Sequence, residues 1–302
     1  MQSDFADRPA FETIRPRRQT SPFVFNSAHS GTHYPERFLK MTRLDKFSIR
    51  QSEDTFVDQI FEQAPYLGVP LLRARFPRAY LDVNREPYEL DPQMFHDPLP
   101  SHYNTTSKRV AAGLGTLAKI VAENKCIYRE KLSLSEAIMR IQGIYKPYHS
   151  TLQNLLSRTL DRFGVAVLID CHSMPPLVDT KNSPAPEIIL GDRFGTTCSP
   201  ALIDMAENLF TDLGFRVARN KPYAGGFITH SYGTPKHGIH ALQIEFSRHL
   251  YMNEITRRTN KNFDLIKKTA TRLIERFIEM DFDLIAKNER LFPRDAQGIA
   301  AE

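Results

Sequence analysis

The apolar residues of this chain fall into short dense runs separated by stretches with helical spacing. The run 163–170 (FGVAVLID) is apolar almost throughout, as in a strand covered on both faces of its sheet. The run 241–246 (ALQIEF) reads the same way, and 23–26 (FVFN) predicts an earlier strand. Shorter strands are expected at 69–74, 80–83 and 215–218. A helix is expected over roughly 53–66, with Ser52 as its cap and Phe56, Ile60 and Phe61 on its buried side. Further helices are expected near 107–123, 134–161, 199–213 and 258–280. Ser199 and Pro200 suit the cap and first position of the one at 199–213.

Strands alternating with helices predict a single α/β domain over 21–302, a three-layer α/β/α sandwich around a central mixed sheet. Residues 1–20, polar and proline-containing, read as a loosely held arm. The stretch 86–106 (EPYELDPQMFHDPLPSHYNTT) is a long ordered loop, a kind that is usually functional inside a compact domain. Residues 220–238 form a second loop, rich in Gly and Pro.

Four segments share one design: NSAHSGTH (26–33), YLDVNRE (80–86), LIDCHSM (168–174) and LQIEFSR (242–248). In each, a strand ends and residues able to bind metal or substrate follow at once. Ligands of open α/β sheets gather at the carboxyl ends of the strands, so the four endings can converge. Composition narrows the chemistry. The chain of 302 residues carries a formal charge of +5, a mild excess without the basic stripe expected for nucleic-acid binding. Cys126, Cys171 and Cys198 offer no CxxC pair, which excludes a thiolate zinc cage. Sparse cysteine, no apolar signal region and no run of membrane-spanning length point to the cytoplasm. There is no GxSxG elbow, no GxxxxGK[ST] loop and no GxGxxG fingerprint. Cys171 beside His172 does not make a nucleophile–base pair, because neighbouring strand residues point to opposite sides.

What is left is metal-assisted chemistry. His29 and His172 are the natural ligands, since neutral imidazole suits zinc. A catalytic zinc keeps three protein ligands and one open position, and Asp54, Asp58 or His33 could complete the set. Glu245, closing an apolar strand, suits a general base. Arg85, with Asn84 beside it, offers a planar fork for a substrate carboxylate. Each residue also has a plainer reading. A single histidine after a strand is commonly a hydrogen-bonded loop residue, Glu245 could pair with Arg248, Asp54 could sit in a first helical turn, and Asn84-Arg85 could form a turn.

The segments 29–35 (HSGTHYP), 53–58 (EDTFVD), 82–85 (DVNR), 145–149 (YKPYH), 170–174 (DCHSM), 222–226 (PYAGG) and 243–248 (QIEFSR) resemble, in order, the signature segments of N-formylglutamate amidohydrolases. The resemblance runs from about residue 22 to 255. It implies a phosphorylase/hydrolase-like fold of the zinc carboxypeptidase kind, and release of formate from N-formyl-L-glutamate in histidine degradation. It further implies one zinc ion, with His29 and His172 at ligand positions and Glu245 at the catalytic position. Asn84 and Arg85, with Arg78, are then expected to hold a small acidic substrate under a loop containing Tyr223, Gly225 and Gly226. Zinc carboxypeptidases carry a glutamate three residues after the first ligand, where this chain has Thr32. The second ligand is therefore sought elsewhere, in the order Asp54, His33, Asp58. A carboxypeptidase-like or other N-acyl amino acid deacylase is the alternative activity. A small-acid binding protein with a degenerate metal site is the non-enzymatic one. No nucleic acid or membrane is expected as a partner, and a homo-oligomer is compatible with the sequence.

Overall fold

The two densest apolar runs become the two longest strands, and they lie side by side. In this computed structural model the described residues are 5, 8–122, 125–180, 184–282 and 285. Seven strands, β1 (Phe11–Ile14), β2 (Phe23–Ser27), β3 (Leu71–Ala74), β4 (Ala166–Met174), β5 (Ile188–Gly191), β6 (Val217–Arg219) and β7 (Ile239–Ser247), form one sheet in the order β1-β3-β2-β4-β7-β5-β6. β3, β2, β4 and β7 run parallel, and β6 is parallel to β5. β1 and β5 run antiparallel to their neighbours β3 and β7. The sheet is therefore mixed.

The helices are α1 (Glu36–Met41), α2 (Val57–Ile60), α3 (Lys108–Ala111), α4 (Leu134–Arg140), α5 (Lys146–Phe163), α6 (Pro200–Asp212), α7 (Phe227–Tyr232) and α8 (Phe263–Ile278). Alternation along each strand divides the core. Val24, Leu168 and Ala241 pack in one apolar cluster with Tyr148, Leu152 and Leu156 of α5. Phe25, Ile169 and Leu242 pack in the other, with Ile203 and Phe210 of α6 and Leu273 and Phe277 of α8. Burying each such side chain contributes about 1.5–3 kcal/mol, so both faces of the sheet are covered. The result is the three-layer α/β/α sandwich.

Several local expectations need correction. In the stretch 1–20, Phe11–Ile14 is no loose arm but an edge strand paired with β3. Glu12 holds Arg75 at 2.5 Å and also pairs with Arg73, while the Phe11 ring meets Tyr148 edge-on. The helix expected over 53–66 shrinks to Val57–Ile60. Phe56 has φ of 70°, and the Asp54 amide bonds to the His29 carbonyl at 3.1 Å instead of entering a helix. Residues 80–83 form no strand, and the helix near 107–123 shortens to α3. Ser199 precedes α6 as expected, but its hydroxyl makes no capping bond. α4 and α5 are joined by a π-helical stretch, Ile141–Tyr145, just before Pro147, which lacks the amide an α-helical ladder requires. β5 has no counterpart among the expected strands.

Candidate active site

Along the parallel strands one face of the sheet changes character. In β2, β4 and β7 the positions Val24, Leu168 and Ala241 are apolar, and two residues on, Asn26, Asp170 and Gln243 are polar. One further step along β4 and β7 brings His172 opposite Glu245. A period of two keeps all of these on one face, while Cys171 turns to the opposite apolar layer. The loop after β2 adds His29, the turn before α2 adds Asp54, and the loop after β3 adds Arg78, Asp82, Asn84 and Arg85.

The three expected ligands converge. The metal-binding atoms of His29, Asp54 and His172 lie within 4.8 Å of one another, and all three residues are buried. His172 Nδ1 is 2.9 Å and His29 Nδ1 3.4 Å from the same oxygen, Asp54 Oδ2. The far nitrogens face acids of their own. His29 Nε2 donates to Asp82 Oδ1 at 2.8 Å, and His172 Nε2 lies 3.0 Å from Asp170 Oδ2 and 3.1 Å from the Asn84 amide nitrogen. A carboxylate on one imidazole nitrogen fixes the ring and leaves the other nitrogen for an ion. His29 Nδ1 is buried and has no hydrogen-bond partner among the described residues. Two imidazole nitrogens and a carboxylate oxygen so arranged are a donor set suited to zinc, and the residues present fit such an ion.

The electrostatics follow from burial and neighbours. Burial alone would raise the Asp54 carboxyl, but the hydrogen bond from His172 and the nearby charge of His172 and His29 hold it well below its usual range. Asp82 is likewise held low against burial, mainly by Arg78 and Arg85. Being ionised it can only accept, so the proton between it and His29 belongs to Nε2. Burial pushes Glu245 up to about 7, with His172 pulling down and Asp54 pushing up. One Glu245 oxygen accepts from Gln243 Nε2 at 2.9 Å, and the other is buried without a hydrogen-bond partner among the described residues. Arg248 bonds Asp54 Oδ1 at 3.3 Å and Ser173 at 3.2 Å, and so orients the Asp54 carboxylate. It does not pair with Glu245.

A cavity of about 310 Å³ opens onto this group, at the small end of the roughly 300–1,000 Å³ typical of ligand sites. His29, Asp54, His172 and Glu245 line it together with Arg78, Asn84, Arg85, Tyr223, Gly225 and Gly226. The Asn84 amide is largely committed: its oxygen accepts from Ile228 N at 2.8 Å and its nitrogen meets His172. Gly226 is required beside it, since a Cβ there would collide with that amide. Gly225, with φ of 121°, lies in the region open to glycine. The remaining candidates are elsewhere. His33 packs tilted against Phe5, with ring centroids 5.3 Å apart, and Asp58 pairs with Arg73 at 3.0 Å. Asp170 and Gln243 were legible in the sequence by period two from His172 and Glu245. Asp82 lay within the singled-out segments 80–86 and 82–85 without a role of its own, and Arg109, which also lines the cavity, carried no local signal.

Comparison with known proteins matches this arrangement to one family. A sequence model described as N-formylglutamate amidohydrolase matches residues 21–252. The chain belongs to the N-formylglutamate amidohydrolase family. It is 30% identical over 240 residues to an N-formylglutamate deformylase of Pseudomonas putida, covering 77% of this chain and 82% of that protein. An N-formylglutamate deformylase of Pseudomonas aeruginosa is 26% identical over 250 residues, with 80% and 86% covered. The crystal structure of N-formylglutamate amidohydrolase from Ralstonia eutropha superposes with a TM-score of 0.83 at 35% identity, over 93% of this chain and 99% of that one. A gene product of Agrobacterium tumefaciens, at 16% identity and a TM-score of 0.59 over 89% and 93% of the two chains, shares the fold. Members of the family matched here are hydrolases by name, and no helix among the described residues is long and apolar enough to cross a membrane.

Proposed function

We propose that this protein hydrolyses the formamide bond of N-formyl-L-glutamate, releasing formate and L-glutamate, with one zinc ion held by His29, Asp54 and His172. The observation that carries the reading is the convergence of two carboxylate-braced imidazoles on one Asp54 oxygen, beside an unpartnered carboxylate oxygen of Glu245. When bound, the cation supplies a Lewis acid that polarises the formyl carbonyl and acidifies water held beside it.

The chain's own residues do the rest. Glu245 takes the proton from the attacking water, for which a carboxyl tuned to about 7 by burial is suited. It then delivers that proton to the departing amine nitrogen as the C–N bond breaks. Gln243 holds one Glu245 oxygen and so aims the other. Arg85, anchored through Nε to the Leu114 carbonyl at 2.9 Å, and Arg78, anchored on Asp82 at 2.9 Å, present cationic faces to a substrate carboxylate. Tyr223, Gly225 and Gly226 contribute a loop wall to the same cavity. Three free cysteines support a reducing, cytoplasmic setting, and formate release from this substrate is consistent with a step of histidine degradation.

The test is formate release from N-formyl-L-glutamate by zinc-loaded protein, alongside N-acetyl and peptidyl glutamates. Glu245→Gln should retain zinc and lose about 10²–10⁴-fold in turnover, the usual contribution of acid–base catalysis. Full activity in that variant would sink the assignment. Cleavage confined to the acetyl or peptidyl substrates would move the chain to the deacylase or carboxypeptidase reading.

A further inference from the structure

The cavity holds four guanidinium groups, and they are not alike. Arg248 is committed to Asp54 and Ser173, and Arg78 to Asp82. Arg85 is 11% exposed and tied through two of its nitrogens to the Leu114 and Asn84 carbonyls. Arg109 differs from all three. Its side chain is 40% exposed and stands at the mouth of the same cavity. Its guanidinium makes no hydrogen bond among the described residues; the acid it faces, Glu89, lies 3.9 Å away through Oε2, while Glu89 Oε1 accepts from Ser107 Oγ at 2.5 Å.

The backbone sets Arg109 beside Arg85. The Leu114 carbonyl accepts from Arg85 Nε, while the Leu114 amide donates to the Arg109 carbonyl at 2.8 Å. Ser107 caps the short helix that carries Arg109, accepting from Val110 N at 3.0 Å, and bonds to buried Glu89. The position is therefore braced although the side chain is not. Two cations held together in this way repel. Arg85 is lowered to about 10, first by burial and in part by Arg78 and Arg109. A bound dianion would relieve that repulsion.

We infer that Arg109 is the receptor for the second, side-chain carboxylate of the substrate and so selects acidic N-formyl amino acids over neutral ones. The inference rests on the function proposed above and adds the residue that sets its substrate class. A substrate with one carboxylate is satisfied by the less exposed Arg85 and Arg78, whereas a dicarboxylate extends outward to the more exposed Arg109. An amide in place of that carboxylate forfeits a charge-assisted hydrogen bond, a type that contributes about 1.5–3 kcal/mol or roughly 10–100-fold.

The experiment compares kcat and KM for N-formyl-L-glutamate and N-formyl-L-glutamine in the wild type, Arg109→Gln and Arg109→Lys. Arg109→Gln should lower the glutamate-to-glutamine ratio of kcat/KM by about 10–100-fold, mainly by raising KM for glutamate. Arg109→Lys should recover part of that ratio. Equal losses on both substrates, or an unchanged ratio, would overturn the inference. A wild type inactive on N-formyl-L-glutamate would sink the proposed reaction instead. Calorimetric binding of glutarate then decides for Arg109: weaker binding in Arg109→Gln upholds its role, and equal binding ends it.

Discussion

His29 and His33 sit in one loop, and Asp54 and Asp58 are four residues apart on one connection, yet the two members of each pair meet opposite environments. His29 and Asp54 turn into the sheet end, where His29 Nδ1 is buried without a hydrogen-bond partner among the described residues and Asp54 gathers two imidazoles and Arg248. His33 and Asp58 turn to a second hollow, lined also by Arg8, Arg73 and Arg75. There Asp58 pairs with Arg73, which also reaches Glu12, and the charges neutralise one another. A partly exposed ion-pair network of this kind is a common way to hold an edge strand and contributes little per pair. Donors aimed at a shared point and left unpaired cost free energy unless something fills the point. Convergence of ligand atoms on one point, as His29 Nδ1 and His172 Nδ1 converge on Asp54 Oδ2, thus separates a ligand site from a structural charge cluster better than residue type does.

Removing a member of the first pair should have the largest effect. Asp54→Ala should lower zinc affinity by more than the roughly 10–100-fold that losing an imidazole's supporting partner costs, read as metal content after dialysis. Because the change also strands buried Arg248, Asp54→Asn serves as the milder variant with the same expected direction. His33→Ala should keep its metal. If His33→Ala loses zinc while both Asp54 variants retain it, the two sides of the comparison have been assigned the wrong way round.

Buried imidazoles without a carboxylate sharpen the contrast through pH. His172 is raised well above its usual value by Asp170 and Asp54 despite burial, whereas His240 is lowered to about 4 by burial alone. In the folded chain His240 stays neutral as the pH falls below about 6.5, while in the unfolded chain it takes up a proton. Its stabilising contribution is therefore complete above about 6.5 and is lost as the pH falls toward 4, by up to about 3 kcal/mol. Denaturant midpoints measured across that range should decline, and His240→Asn should show a shallower slope. Parallel slopes would mean that His240 does not titrate as its burial demands.

Next comes the acid behind His29. Asp82→Asn removes the anion that keeps the His29 proton on Nε2 and should weaken zinc binding by about 10–100-fold, with the fold intact. An unchanged affinity would show that Asp82 serves only Arg78. The smallest effect belongs to the second hollow. Asp58→Asn breaks a pair with side chains 25% and 18% exposed and should cost no more than about 1 kcal/mol, leaving zinc content and turnover alone. A loss of metal there would dissolve the distinction between the two regions.

The layered fold was legible because its signal is strong and local. The runs at 163–170 and 241–246 are too apolar to be anything but covered strands, and they became β4 and β7 at the centre of the sheet. The helices at 134–161, 199–213 and 258–280 followed from apolar spacing. The weaker elements did not. Phe11–Ile14 is held by its ladder to β3, with Glu12 meeting Arg73 and Arg75 across it, partners that no local pattern announces. Asp54 was the preferred third ligand, but from a helical turn that does not form; its carboxylate reaches the site from a loop stitched to the His29 carbonyl.

By itself the sequence determined which residue types stand at strand ends, and period two already set Asp170 with His172 and Gln243 with Glu245 on one face. It also excluded thiolate cages, phosphate loops and nucleophile elbows, because those chemistries need contiguous spacings that are absent. Tertiary structure alone decided which of His29 and His33, and which of Asp54 and Asp58, turned inward. It alone brought Asp82 behind His29, Arg248 onto Asp54, and Arg109 to the mouth of the cavity. The physical reason is range: alternation and helical spacing act over a few residues, whereas these contacts join segments 25 to 194 residues apart. The direction of a loop side chain is set by the partners available to pair its charge.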